Sequence, residues 1–357
     1  MVRLSTLSWG LYLSSSWTWC IGMFLPVILM HRFGWAGYLV FAVPNVIGCA
    51  AFGYVMKTPE RSKKFVAKYS SILSAFSLIT IAFHFYFIAM LLRLHEVGVA
   101  ITLACIVVAL LVISVLMRLS AQTFLRMAIG TYCLSVVAGA VLFDIDLDIQ
   151  AAQPWYEAFY LLPLTTIGFL LCPYFDLTFH KALQSAPSRH CFGVFGLTFI
   201  PMILITVLYQ EFVLRALPLV LILHLGGQAL FSMSAHAAEL NRQLSAAQQL
   251  LVLKIFFALL FVSCGLALWP YQSIQGWLDN YLRFFVFYSV LFPCLLIACA
   301  LDKKVYAWML ATVLMVLPFL ELGVIAPYSY LALLPAALML AWGWAAAKNA
   351  KALMSGA

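Results

Sequence analysis

The sequence predicts an all-α polytopic membrane protein of twelve transmembrane helices, and three observations carry that expectation. Of its 357 residues, 66% are hydrophobic and only 9% charged, with a mean hydropathy of +1.05; soluble domains carry about 25% charged residues. Hydrophobic windows of span length recur at 8–30, 36–56, 69–92, 97–117, 127–143, 155–176, 192–210, 216–240, 250–269, 281–300, 305–323 and 328–347. With the N-terminus placed inside, sixteen of the twenty Lys and Arg fall on the inner loops. Arg32, Arg93, Arg215 and Arg283 alone fall outside. An odd number of spans would scramble that split, so both termini are expected on the cytoplasmic side of a plasma membrane, a bacterial inner membrane on this reading. No cleavable leader is expected, because the first window is full span length and lacks a small-residue cleavage pattern.

The first span organises the rest. It is crowded with Ser14, Ser15, Ser16, Thr18, Trp17 and Trp19 ahead of Gly22 and Pro26. Lipid demands no hydroxyls, and a helix is interrupted in a bilayer only where protein or a wet cavity re-satisfies its backbone. A discontinuous, site-lining helix is therefore expected. Span 6 is written similarly, with Pro163, Thr165, Thr166 and Gly168, then Cys172-Pro173-Tyr174-Phe175-Asp176. Two interrupted spans five apart, entering from opposite sides, point to an inverted repeat with a site at its interface.

Span 8 carries His224, Gln228, Ser232 and His236 every four residues, continued by Glu239 and Gln243. That spacing makes one polar helix face. Such groups are costly in a span and face a bundle interior or water; as plain interhelical glue each contributes about 0.6 to 2 kcal/mol. At 1.5 Å per residue, Ser14 to Ser16 lie about 9 to 12 Å into span 1, the depth of Ser232 and Ser234 before the end of span 8. Hydroxyls and freed carbonyls at one level suit a hard monovalent cation.

The remaining features argue against other classes. The nine cysteines show no CxxC and read as small packing residues. His84 stands alone in span 3, and His224 and His236 are three turns apart, so no histidine-ligated metal or haem site is expected. Intramembrane histidines also relay protons, which makes His236, Glu239 or Asp176 an alternative coupling path. Asp144, Asp146 and Asp148 read as an exposed acidic loop. Basic residues are dispersed between spans, so no nucleic-acid partner is expected. No nucleotide-binding or hydrolase motif is present, and no enzyme activity is expected. A membrane-embedded transferase using His180, Asp176, His190 and Arg189 is a lesser alternative, disfavoured by short loops. A transporter-derived sensor or scaffold is another.

Several stretches resemble a known family. Ser-Trp-Thr-Trp-Cys-Ile-Gly-Met-Phe-Leu-Pro (16–26) and Arg-Phe-Gly-Trp-Ala-Gly-Tyr-Leu-Val-Phe-Ala-Val-Pro-Asn-Val-Ile-Gly (32–48) look like the first two core helices of the sodium/solute symporters, a LeuT-fold branch. Residues 172–182 are similar to the segment closing the sixth core helix there, and Phe-Ser-Met-Ser-Ala-His (231–236) falls where that family places sodium-binding hydroxyls. These stretches cover about a quarter of the chain. The resemblance implies a five-plus-five inverted repeat, here 1–150 and 151–301, followed by two extra helices and a tail over 302–357. It further implies alternating access and sodium coupling. Ser232 and Ser234 would be sodium ligands together with span 1 carbonyls near Ser16 to Trp19. The chain departs from the family in lacking an extra N-terminal span and in separating its paired hydroxyls by Met233. The expected activity is secondary transport of a small organic solute, sodium-coupled or, as the alternative, proton-coupled. The expected substrate contacts are Ser16, Trp17, Trp19, Thr165, Thr166, Tyr174, Asp176, His224 and Gln228. Trp17, Trp19, Phe169, Tyr174 and Phe175 favour a solute with an apolar or cationic face.

Overall fold

The computed structural model describes residues 4–143, 151–209, 217–269, 273–301, 303–325 and 329–355. Asp144, Asp146 and Asp148, like Arg3 and Arg215, lie outside them. Among the described residues every regular element is helical. Ten helices are long and apolar enough to cross a membrane, and a bent pair at the N-terminus makes an eleventh span; a shorter apolar helix, Tyr330–Ala345, lies where the twelfth window falls.

Span 1 is that bent pair, α1 (Leu4–Trp17) and α2 (Cys20–Phe33), which meet at 63°. Spans 2 to 5 are α3 (Trp35–Met56), α4 (Pro59–Leu94), α5 (Val99–Leu116) and α6 (Ala121–Val141). Span 6 opens with a 3-10 turn (Trp155–Leu161), continues as α7 (Leu162–Phe175) and resumes after Asp176 as α8 (Leu177–Ser185). Spans 7 to 9 are α9 (Cys191–Leu208), α10 (Leu219–Gln243) and α11 (Ala246–Leu268). Span 10 joins α12 (Ile274–Val286) to α13 (Phe292–Leu301) through a π-helical turn, and α14 (Lys303–Leu320) and α15 (Leu333–Ser355) follow.

Local chemistry sets many of these boundaries. Thr58 caps α4 by accepting from the Arg61 amide, with Pro59 at its first position. Ser120, Ser245 and Ser273 cap α6, α11 and α12 in the same way, and Ser245 with Gln248 forms a reciprocal capping box. Helix α4 is 36 residues long and kinks at Tyr69, where a polar arm meets the buried span.

Helix packing interleaves the first five spans with the next five. Helix α1 packs on α9 and α3 on α7; α4 packs on α11 and α5 on α10. Helix α1 also touches α6 and α10, while α7 touches the π turn of span 10 and α8 touches α4. Helices α5 and α11 are peripheral, with most of their residues facing outward. Two glycines allow the closest approaches around α7. A Cβ on Gly48 would sit 2.7 Å from the Phe169 carbonyl oxygen, and one on Gly168 would sit 2.8 Å from the Ser289 carbonyl oxygen. One continuous aromatic-rich core, including Phe24, Phe76, Phe83, Tyr281 and Tyr288, joins the spans.

Candidate functional site

The site is built from the two interruptions, and the first follows from the serine-rich sequence. The Thr18 hydroxyl donates to the Ser14 carbonyl at 2.7 Å, and the Ser16 hydroxyl donates to Leu13 at 3.2 Å. These local bonds offer the backbone an alternative to the helical ladder. Trp19 is extended (φ −75°, ψ 174°), and α2 restarts with the Met23 amide donating to the Trp19 carbonyl at 2.8 Å. The break therefore falls at Thr18–Trp19, upstream of Gly22 and Pro26, both of which lie inside α2. Its helices are 14 residues each, so the break sits midway along the span.

Backbone groups freed by a break inside a bilayer need partners, and side chains from distant spans supply them. The Cys20 amide donates to Nε2 of His84 at 3.4 Å, while Nδ1 of His84 meets the Thr80 carbonyl at 2.8 Å. A carbonyl only accepts, so both bonds require the neutral ring with its proton on Nδ1. Two tyrosines brace the start of α2 on carbonyls that already lie in its helical ladder: Tyr281 donates to the Cys20 carbonyl at 3.0 Å, and Tyr209 donates to the Met23 carbonyl at 2.5 Å. The Ser232 hydroxyl donates to the Ser15 carbonyl at 3.2 Å.

The second interruption rests on Asp176. It is extended and caps α8, accepting from the Thr178 amide at 2.6 Å. The break comes three residues after Pro173, which stays within α7. The two breaks touch, because the Thr178 hydroxyl donates to the Ser16 hydroxyl at 3.2 Å.

Three residues around the breaks carry a polar atom without a protein hydrogen-bond partner: Nε1 of Trp19, Oδ2 of Asp176 and Nε2 of His236. Asp176 Oδ2 and His236 Nε2 are 3.7 Å apart and both side chains are fully buried. Nδ1 of His236 is 3.3 Å from the Ser77 hydroxyl. Aromatic rings enclose the place: Trp19 lies 4.2 Å from Trp17, 5.4 Å from Tyr288, 5.6 Å from His236 and 5.9 Å from Phe76, centroid to centroid. Beside Trp17 and Trp19 a cavity of about 10 Å³ remains, lined also by Asn45, Phe169 and Tyr288; that is room for one water. The arrangement is closed. A cavity of about 720 Å³ lies elsewhere, among α4, α5, α10 and α11, with apolar walls such as Leu110, Val252 and Phe256.

The sequence-predicted residues divide between this place and others. Ser16, Trp17, Trp19, Asp176 and His236 come together at the breaks. Thr165 bonds the Val40 carbonyl and ties α7 to α3; Thr166 is half-buried. Tyr174 packs on Phe52, and its carbonyl accepts from His180. His224 and Gln228 both contact the Ser135 hydroxyl of α6, at 2.9 and 2.8 Å. The polar face of α10 thus serves three neighbours in turn: α6, α1 and then the α4–α8 side. Glu239 pairs with Arg242 on its own helix, and Gln243 is exposed. Ser232 and Ser234 are about 200° apart around a helix, so Ser232 alone reaches the Ser15 carbonyl, and Ser234 Oγ has no protein partner.

The sequence singles out neither Tyr209, Tyr281 nor Asn45 for this place, and it marks His84 only as a lone histidine in span 3. Asn45 accepts from Trp17 Nε1 at 2.7 Å and from the Cys49 thiol at 3.3 Å. The available signal was a polar residue isolated in an apolar span. Among the described residues no group of three His, Cys, Asp or Glu could hold a metal ion.

The chain matches no protein-family model, no curated protein and no solved structure.

Proposed function

We propose that the protein is a secondary transporter that moves a small organic solute across its membrane by alternating access, with its termini cytoplasmic. The observation that carries this reading is the meeting of two interrupted helices at a buried polar centre, where the unpaired Asp176 Oδ2 and His236 Nε2 lie 3.7 Å apart beside the Trp19 ring. A purely structural bundle gains nothing from such a centre, since unpaired buried polar groups cost about 1–3 kcal/mol each.

The packing supports a five-plus-five inverted repeat of the LeuT type. Exchange each span for the one five places along, and the main contacts map onto contacts: 1 on 7 becomes 6 on 2, 3 on 9 becomes 8 on 4, 1 on 5 becomes 6 on 10, and 3 on 6 becomes 8 on 1. Residues 1–150 and 151–301 are then the two repeats, with 302–357 added. In such a frame, spans 1 and 6 part from spans 3 and 8 to admit solute from alternate sides.

Sodium is the coupling ion on this reading. The Ser15 carbonyl and the Ser232 hydroxyl offer hard oxygen donors where span 1 ends its first helix. The test is the melting temperature of the purified protein in sodium against potassium at equal ionic strength. A ligand at 100 times its dissociation constant adds about 2.7 kcal/mol. A sodium-specific rise lost in Ser232→Ala and kept in Ser234→Ala is expected; no sodium effect overturns the assignment. The 3.7 Å approach of Asp176 to His236 favours protons as the second reading. It is upheld if stability ignores sodium while its pH dependence changes in His236→Gln.

A further inference from the structure

The transporter reading leaves open what is carried, and the charges of the core narrow it. Among the described residues the fully buried ionisable side chains include Asp176, Glu239 and the histidines at 84, 180, 224 and 236, and no Lys or Arg is buried with them. Glu239 has Arg242 as its partner. Asp176 has none: one carboxylate oxygen caps α8, and the other faces only the imidazole of His236, itself unbonded on that side. A buried carboxylate without a cation is expensive. The ring beside His236 is Trp19, backed by Trp17, Tyr288 and Phe76. Rings attract a cation through their faces, and the unpaired indole N–H of Trp19 offers a donor to an oxygen on the same molecule.

We infer that the solute is a small organic cation, an ammonium compound whose charge rests on the Asp176 carboxylate and whose alkyl groups lie against Trp19 and its neighbouring rings. A bare metal ion would use the carboxylate and leave the rings idle; an anion would meet Asp176 as a repelling charge. The inference rests on the transporter reading, because the centre is closed and a solute of this size enters only when spans 1 and 6 part from spans 3 and 8.

The test uses the full chain in lipid nanodiscs with labelled choline as probe, competed by methylammonium, tetramethylammonium, sodium and the uncharged choline isostere 3,3-dimethylbutan-1-ol. Saturable choline binding is expected, displaced by at least one other ammonium and at least tenfold more weakly by the alcohol. Asp176→Asn keeps a capping side chain and should weaken binding at least tenfold. Trp19→Leu should weaken it several-fold, with Trp19→Phe between. The competition on the unmodified protein stands even if a variant fails to fold. The inference is overturned if none of the ammonium compounds binds, if the alcohol competes within threefold of choline, if sodium alone binds in an Asp176-dependent way, or if Asp176→Asn binds choline unchanged. Exchange of labelled choline across proteoliposomes separates the two levels. Binding without exchange upholds the cation site and overturns transport, whereas exchange indifferent to Asp176→Asn upholds transport and overturns the site.

Discussion

Replacing His84 by Leu tests how the break in span 1 is held. The imidazole accepts from the Cys20 amide at 3.4 Å and is fully buried. Leu fills a similar volume but accepts nothing, so the Cys20 N–H becomes a buried donor without a partner. Such a group costs about 1–3 kcal/mol. That is roughly a five- to 150-fold loss in the folding equilibrium, at tenfold per 1.4 kcal/mol. Loss of the Nδ1 contact to Thr80 adds little, because the Thr80 carbonyl already lies in a helical ladder. The assay is reversible unfolding in mixed micelles with increasing SDS, followed by far-ultraviolet circular dichroism, comparing wild type, His84→Leu and His84→Gln. Gln places a carboxamide oxygen near the position of Nε2 and should recover most of the loss. A Leu variant as stable as wild type, or a Gln variant as impaired as Leu, would refute the account of how the amide is satisfied.

Other perturbations have sizes that follow from the contacts. Gly48→Ala drives a methyl to 2.7 Å from the Phe169 carbonyl oxygen, which belongs to rigid backbone; overpacking of this kind costs about 1–3 kcal/mol, read in the same SDS titration. Trp17→Phe keeps one aromatic ring and removes the indole N–H with its 2.7 Å bond to Asn45. The Asn45 oxygen keeps the Cys49 thiol, so the loss should be about 1 kcal/mol, and a loss above 3 would mean that the indole does more than donate. Arg283 and Glu321 pair with side chains 47% and 42% exposed; Arg283→Gln should change stability by about 0–1 kcal/mol and by less in high salt.

The positions of the spans were legible because a bilayer imposes length and apolarity on every crossing segment. The interruption of span 1 was legible from its hydroxyls, and it falls among them rather than at Gly22 or Pro26. Pro26 lies in the middle of α2 and removes one internal bond without ending the helix, whereas Thr18 and Ser16 compete directly for carbonyls at the break. Span 6 was legible as an interrupted helix, but the role of Asp176 in capping α8 emerged only from the structure. The even spacing of His224, Gln228, Ser232 and His236 revealed a buried polar face but not its partners. Those partners are set by three different helices, and nothing in one strip of sequence encodes which neighbour lies at which level. The roles of His84, Tyr209 and Tyr281 were hidden for the same reason, since each reaches the start of α2 from more than 60 residues away.

The interleaved packing also sets a timetable for biogenesis. The Ser15 carbonyl, freed where α1 ends, waits for a serine 217 residues later, and the Cys20 carbonyl at the start of α2 gains its second donor from a tyrosine 261 residues later. At about 5–20 residues per second, the ribosome delivers those partners roughly 10–50 s after the first span emerges. Through that interval the broken helix cannot rest in lipid as it does in the finished molecule. It must be sheltered by the insertion machinery or held for a time as one unbroken helix, to be bent when spans 8 and 10 arrive. A chain truncated after the first five spans would therefore be a quality-control substrate rather than half of a working protein.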